Sequence, residues 1–256
     1  MQEPTTLPPP EHKPVPLPEP PPEPPVDPDI WDVSDVDISA IDQSRKLISF
    51  TFDDAPARTI ENILAVFAAF NENNPDCPAS ATLFCNGCLF DSSSVSTLHA
   101  ACALGFELGN HTYAHFDLTT LSEPTLQAEI DKTDALLEQA DGKPRHLFRA
   151  PYGRLNDLVR ATVQTPILDW TIDTLDWTGV TADEIYQTVW SQKFSGAIVL
   201  MHDGHDQTVD ALKRLLPDLK AEGYQVVSIS KMAKAHGVTM RRGNVYIRAR
   251  KKEIGN

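Results

Sequence analysis

Short apolar runs alternate along this chain with stretches in which apolar residues recur at helical spacing. The first pattern predicts buried strands and the second amphipathic helices. Leu47–Phe52 opens the series as a strand, and a helix follows over Thr59–Asn71. Further strands are predicted at Ser80–Asn86, Phe106–Leu108, His146–Arg149, Pro166–Ile172, Ala197–Met201 and Gln225–Ile229. The helices between them are Ser92–Leu104, Ser122–Ala140, Asn156–Gln164, Thr181–Trp190 and Thr208–Glu222. Gly105 stands where a helix C-cap belongs, and Ser122-Glu123-Pro124 puts proline in the first turn of the long helix. About seven strand–helix repeats in a row predict an α/β fold built on a parallel barrel or sheet. Val238–Arg248 reads as a terminal hairpin around Gly243-Asn244.

The two ends do not share this pattern. Residues 1–28 are dominated by proline, cannot build a core, and favour polyproline II, which makes a semi-rigid spacer or tether. Residues 29–45 form an acidic, irregular lead-in to be packed by Trp31 and Ile38. The repeats occupy residues 46–237, and 238–256 form a basic hairpin or tail. The formal net charge of −14 is the opposite of a nucleic-acid binder's balance. No apolar run reaches the ~18 residues of a membrane-spanning helix. The first residues lack the basic-then-apolar order of a signal peptide, so none is expected in this chain. Of four cysteines, Cys85 and Cys88 form a C-x-x-C, but Cys77 and Cys102 are not the second close pair that a structural zinc site needs. Half-buried thiols or one local disulfide are expected.

The titratable clusters fall just after predicted strands, which in a parallel barrel is the rim where chemistry sits. Asp53-Asp54 end the first strand; at a frayed strand end both carboxyls can face one pocket, one as a metal ligand and one as a base. A solvated turn is the other reading. His111 and His115 are four apart, which on a helical turn gives two imidazoles on one face. With a carboxylate from another strand they form a two-His, one-Asp site. Arg149 at a strand end beside acids suits orienting a carboxylate. Asp173, Asp176 and Trp177 follow the fifth strand, and His202 follows four apolar residues, as a core histidine or a rim histidine.

Five of these stretches match one family's motifs in order. TFDDAP, HTYAH, RAPYG, DTLDW and LMH make the chain resemble the polysaccharide deacetylases of carbohydrate esterase family 4, most closely the bacterial peptidoglycan N-acetylglucosamine deacetylases. The resemblance implies a distorted (β/α) barrel of about seven parallel strands and a metal-dependent hydrolase that removes acetyl groups from a polysaccharide. It implies that Asp54, His111 and His115 hold one divalent metal, zinc or else cobalt. Asp53 would be the general base, fixed by Arg149. The backbone N–H of Tyr152 would stabilise the oxyanion. His202 would be the general acid, kept protonated by Asp173. Leu200 and Trp177 would wall the acetyl pocket. The family's usual glycine is Ala55 here; at a left-handed φ alanine costs about 1 kcal/mol, but a residue before proline prefers extended backbone, where alanine is harmless. The expected activity is N-deacetylation of N-acetylglucosamine or N-acetylmuramic acid in peptidoglycan or a chitin-like glycan. An acetylxylan esterase is the alternative, and an inactive glycan-binding barrel the third reading. The partner is thus a polysaccharide, and the expected location is extracellular, tethered at the cell surface.

Overall fold

The sheet is built outward from β1 (Lys46–Ala55), the strand that carries the acidic pair. The computed structural model describes residues 27–250, so nearly all of the proline-rich stretch expected over 1–28, and the end of the basic tail, lie outside the described residues. β1 pairs with β2 (Thr82–Cys85), β7 (Ile198–His202) and β8 (Tyr224–Val226). The sheet continues through β3 (Glu107–Asn110), β4 (Leu147–Phe148) and β5 (Ile167–Leu168) on one side and β6 (Ile172–Asp173) on the other. β9 (Val245–Tyr246) closes the list, and every pairing between named strands is parallel. The helices are α1 (Ile60–Asn73), α2 (Ser94–Ala103), α3 (Glu123–Asp141), α4 (Asp157–Thr162), α5 (Ala182–Gln192), α6 (Asp206–Ala221) and α7 (Ile229–His236). None of them is long and apolar enough to cross a membrane. This is the parallel α/β architecture that the alternation predicts, and the distorted (β/α) barrel that the family resemblance implies.

Strand alternation sorts β1 into two faces. Ile48, Phe50 and Phe52 pack outward with Ile63 and Phe67 of α1 and the apolar face of α6. Phe67 meets both Phe52 and Phe106 edge to face. Each such buried side chain contributes roughly 1.5–3 kcal/mol. Leu47 faces the barrel interior with Phe84, Leu147, Leu168 and Ile198. Trp31 and Ile38 of the lead-in pack against this same cluster.

Three expectations are corrected. The single strand over 166–172 is two strands, β5 and β6, which lie near opposite ends of the sheet. Across the break the carbonyls of Leu168 and Asp169 accept from the Arg149 guanidinium at 2.9 and 3.2 Å instead of feeding a ladder. The terminal hairpin is not paired to itself. Gly243, at φ 68°, turns the chain so that β9 runs beside β5, whose edge the break leaves unpaired. Gln225–Ile229 is not one strand: β8 stops at Val226 and Ile229 begins α7. Ser228 at its N-cap, Gly237 in the left-handed C-cap and buried Ile229, Met232 and Ala233 were the available signals. The four cysteines are free thiols, without a local disulfide.

Candidate metal and catalytic centre

Asp53 and His202 are register partners on adjacent strands β1 and β7, so both reach the carboxyl rim together. Successive strand residues point to opposite faces, and Asp54 escapes this rule through a left-handed backbone, φ 59°. Aspartate tolerates that conformation better than most residues. Ala55 is outside the left-handed region and fully buried, and its carbonyl accepts the Asn86 N–H at 2.7 Å. The loop therefore carries alanine there without a backbone penalty.

Asp54, His111 and His115 each offer one ligand atom, all within 4.8 Å of one another. Asp54 Oδ1 lies 3.9 Å from His111 Nε2 and 3.6 Å from His115 Nε2. The Asn86 amide donates to the same oxygen at 2.9 Å. His111 Nδ1 is 2.8 Å from the Arg149 carbonyl, which can only accept, so that nitrogen carries the proton and Nε2 keeps its lone pair. His115 Nδ1 faces the Tyr152 hydroxyl at 3.2 Å, and the two rings lie 4.7 Å apart. Both Nε2 atoms are thereby aimed at Asp54, the arrangement that second-shell partners give to metal-binding imidazoles. A two-His, one-carboxylate donor set fits a divalent transition metal. The helical turn expected for His111–His115 is absent. The segment is a loop in which Thr112 and His115 have φ of 68° and 55°.

Arg149 is fully buried. Its guanidinium donates to Asp53 Oδ1 and to Thr51 Oγ1, each at 2.7 Å, and stacks 4.1 Å above the Phe84 ring. Thr51 in turn donates to the Val199 carbonyl. Burial opposes ionisation of Asp53, but the charge of Arg149, with its hydrogen bond and the His202 charge behind it, outweighs burial and holds the carboxyl below its usual range. The second Asp53 oxygen lies 3.6 Å from His111 Nε2, beside the ligand cluster.

The partner of His202 is Asp176, not Asp173. Asp176 Oδ1 accepts from His202 Nδ1 at 2.7 Å, and Oδ2 accepts the His202 backbone N–H and the Thr208 hydroxyl at 2.8 and 2.6 Å. Asp173 instead accepts the Leu175 N–H at 2.9 Å, a local turn contact. The left-handed Leu175, φ 57°, swings Asp176 inward, where it is fully buried. Burial works against charge on His202, yet Asp176, with Asp53 behind it, raises its pKa above the ordinary value. A group with a raised pKa stays cationic further into neutral pH and loses its proton as pH rises. Asp176→Asn is therefore expected to shift the high-pH limb of the pH–rate profile to lower pH, while Asp173→Asn leaves that limb in place.

Leu200 is buried on β7 with its carbonyl taken by Thr174. Tyr152 and Trp177 are exposed at the rim, and Tyr152 sits at φ 61°. The non-glycine residues with left-handed backbone among those described are Asp54, Thr112, His115, Tyr152 and Leu175, all on this rim. Such backbone costs of order 1–3 kcal/mol per residue and gathers at functional sites. Thr51, Asn86 and Asn110 belong to the site's support and were not singled out from sequence; being uncharged and inside strands or at their ends, they carried no signal there.

The model of the family described as polysaccharide deacetylase matches residues 40–166. A peptidoglycan-N-acetylglucosamine deacetylase of Bacillus cereus is 32% identical over 75% of this chain and 90% of its own length. A bifunctional xylanase/deacetylase of Pseudobutyrivibrio xylanivorans is 31% identical over 77% of this chain and 32% of its own. Among solved structures, the Xyl-CE4 domain of a multidomain xylanase from the hindgut metagenome of Trinervitermes trinervoides superposes with a TM-score of 0.74 at 26% identity, covering 80% of this chain and 98% of that one. The chain spans about a third to a half of the length of the first curated relatives it matches (32%, 49% and 40%).

Proposed function

The chain belongs to the polysaccharide deacetylase family, and from that premise we propose that it is a metal-dependent hydrolase that removes acetyl groups from N-acetylated sugars of a cell-wall or chitin-like glycan. The observation that carries this reading is one rim holding three things together: a three-donor cluster, a carboxylate fixed by a buried arginine and an imidazole fixed by a buried aspartate. Asp54, His111 and His115 would hold the metal, zinc first on the donor set and cobalt as the alternative. A divalent cation there supplies Lewis-acid polarisation of a carbonyl and acidifies water.

The other roles fall to this chain's own groups. Asp53, kept ionised by Arg149, takes the proton of the attacking water. The Tyr152 N–H donates to the developing oxyanion. His202, kept cationic by Asp176, gives its proton to the departing amine. Leu200 and Trp177 wall the acetyl group. A polymer fits the surroundings: Leu89, Phe116, Tyr152, Leu175 and Trp177 are exposed large apolar residues in or beside the short turns that follow β2, β3, β4 and β6, surface that a glycan chain can cover. The same reading puts the protein at the cell surface, with residues 1–28 as a spacer.

Ester hydrolysis passes through a similar tetrahedral intermediate, and a relative named for both xylanase and deacetylase activity keeps the acetylxylan reading in view. Acetate and free amine are measured side by side on N-acetylglucosamine oligomers, peptidoglycan and acetylated xylan. Equimolar amine and acetate from the first two support the proposal. Acetate from xylan alone would replace the substrate. No release from metal-loaded protein would leave a glycan-binding barrel.

A further inference from the structure

The loop that bears both candidate imidazoles is held from outside the site, by helix α3. β3 ends at Asn110, and residues 111–115 follow with two left-handed backbones, one of them at a β-branched threonine. Threonine at positive φ is an outlier that must be imposed by its surroundings. The Asn110 amide donates to the Ile130 carbonyl and to Asp134 Oδ1, both at 2.9 Å. Its own oxygen accepts the Thr112 N–H at 2.9 Å. Glu129 Oε2 accepts the Ala114 N–H at 2.7 Å. The Thr112 hydroxyl accepts the His115 N–H at 3.2 Å. On the other side, the N–H groups of Gly87 and Cys88 donate to the carbonyls of Thr112 and Tyr113 at 3.0 and 2.7 Å. The sandwich is tight: a Cβ on Gly87 would lie 2.5 Å from the Tyr113 ring and 2.9 Å from Thr133 Oγ1 of α3.

Glu129 stands out within this frame. It is 5% exposed, and among the described residues no cation forms an ion pair with it. Burying a carboxyl without a counter-charge is costly, so stability alone gives no reason for an acid there. Its hydrogen bond goes to the ligand loop. Asp134 is similarly engaged: the oxygen that receives Asn110 also faces His146 Nδ1 at 2.8 Å, and His146 Nε2 faces Asp141 at 3.2 Å. The buried imidazole thus ties the carboxyl end of α3 to the entry of β4 and fixes where Asp134 can stand.

We propose that Glu129 and Asp134 are positioning residues for the metal: through Ala114 and Asn110 they hold residues 110–115 in the shape that aims both imidazoles at Asp54, and so set metal affinity without touching metal or substrate. The inference rests on the ligand assignment made above. Partners of this kind change metal affinity by roughly 10–100-fold.

The test is Glu129→Leu, which keeps most of the side-chain volume and removes acceptor and charge together, with Glu129→Gln as the rescue because it removes the charge and keeps an acceptor oxygen. Zinc Kd is measured by competition with a chromophoric chelator, and metal-free melting by circular dichroism. The expected result is a 10–100-fold weaker Kd for the leucine variant, a metal-free melting temperature close to the parent's, since removing the buried carboxyl offsets the Ala114 N–H left without its acceptor, and recovery of most of the affinity by glutamine. A leucine variant that binds zinc like the parent would overturn the positioning role, as would one that melts lower and shows no change in Kd. A parent protein that binds no zinc would instead bring down the ligand assignment, and this inference with it.

Discussion

Asp53→Asn is expected to lower kcat by about 100- to 10,000-fold, the range for removing a positioned proton acceptor, with one equivalent of metal still bound. Asparagine can keep the hydrogen bond from Arg149 through its oxygen, but it cannot take a proton. Its amide would point towards His111, where Asp53 now places an oxygen 3.6 Å from Nε2. Since Asp53 is not among the three ligand residues, metal content should survive, which separates loss of the base from loss of the site. The pH dependence has a defined sign. The folded-state pKa of Asp53 is depressed, so its ionised form and the stability it lends persist above the unfolded pKa of about 3.9 and vanish as pH falls through the folded value. Parallel measurements of kcat, metal content and acid unfolding check all three statements.

Arg149→Leu is expected to destabilise the fold by about 3–5 kcal/mol, the penalty for breaking a buried ion pair from one side. For a chain of this size that is a fall in melting temperature on the order of 10 °C. The guanidinium is fully buried and holds the Asp53 carboxylate, the Thr51 hydroxyl and the carbonyls of Leu168 and Asp169 at the break between β5 and β6. Leucine leaves one charge and two carbonyls without partners. The pKa of Asp53 should rise once its strongest cation is gone, so activity at mildly acidic pH disappears first. Buried pairs are often replaceable by apolar pairs without loss of stability. The double variant Asp53→Leu with Arg149→Leu should therefore recover much of the melting temperature and none of the activity. Melts and pH–rate profiles of the two variants check the prediction; a double variant no more stable than the single one would show that the carbonyl contacts, rather than the charge pair, dominate.

The rim was legible because the strand–helix alternation is. Once β1, β3, β4 and β7 are read from their apolar runs, Asp53, Asp54, His111, His115, Arg149 and His202 must follow strand ends, and the structure brings all six together. What the spacing could not supply was local conformation decided by distant residues. His111 and His115 meet on a loop shaped by Glu129 and Asp134, 15 and 24 residues past the positions they hold. In DTLDW either aspartate could face His202. The choice of Asp176 over Asp173 depends on the left-handed Leu175 and on the Thr208 hydroxyl from α6. The break after Leu168 and the seating of Val245 beside Ile167 are consequences of closing an incomplete barrel, which no local pattern encodes. α7 is different in kind: its caps and its spacing were in the sequence, and reading Val227 to Ile229 as a continuing strand hid them.

The central claim is that Asp54, His111 and His115 hold one metal ion and that deacetylation depends on it. Its most direct test is titration of chelator-stripped protein with zinc, following bound metal and acetate release from N-acetylglucosamine oligomers in the same samples. The account predicts that both rise together and level off at one equivalent per chain, and that His111→Ala shows neither. Acetate release at full rate from the stripped protein, or undiminished zinc binding by His111→Ala, would contradict it.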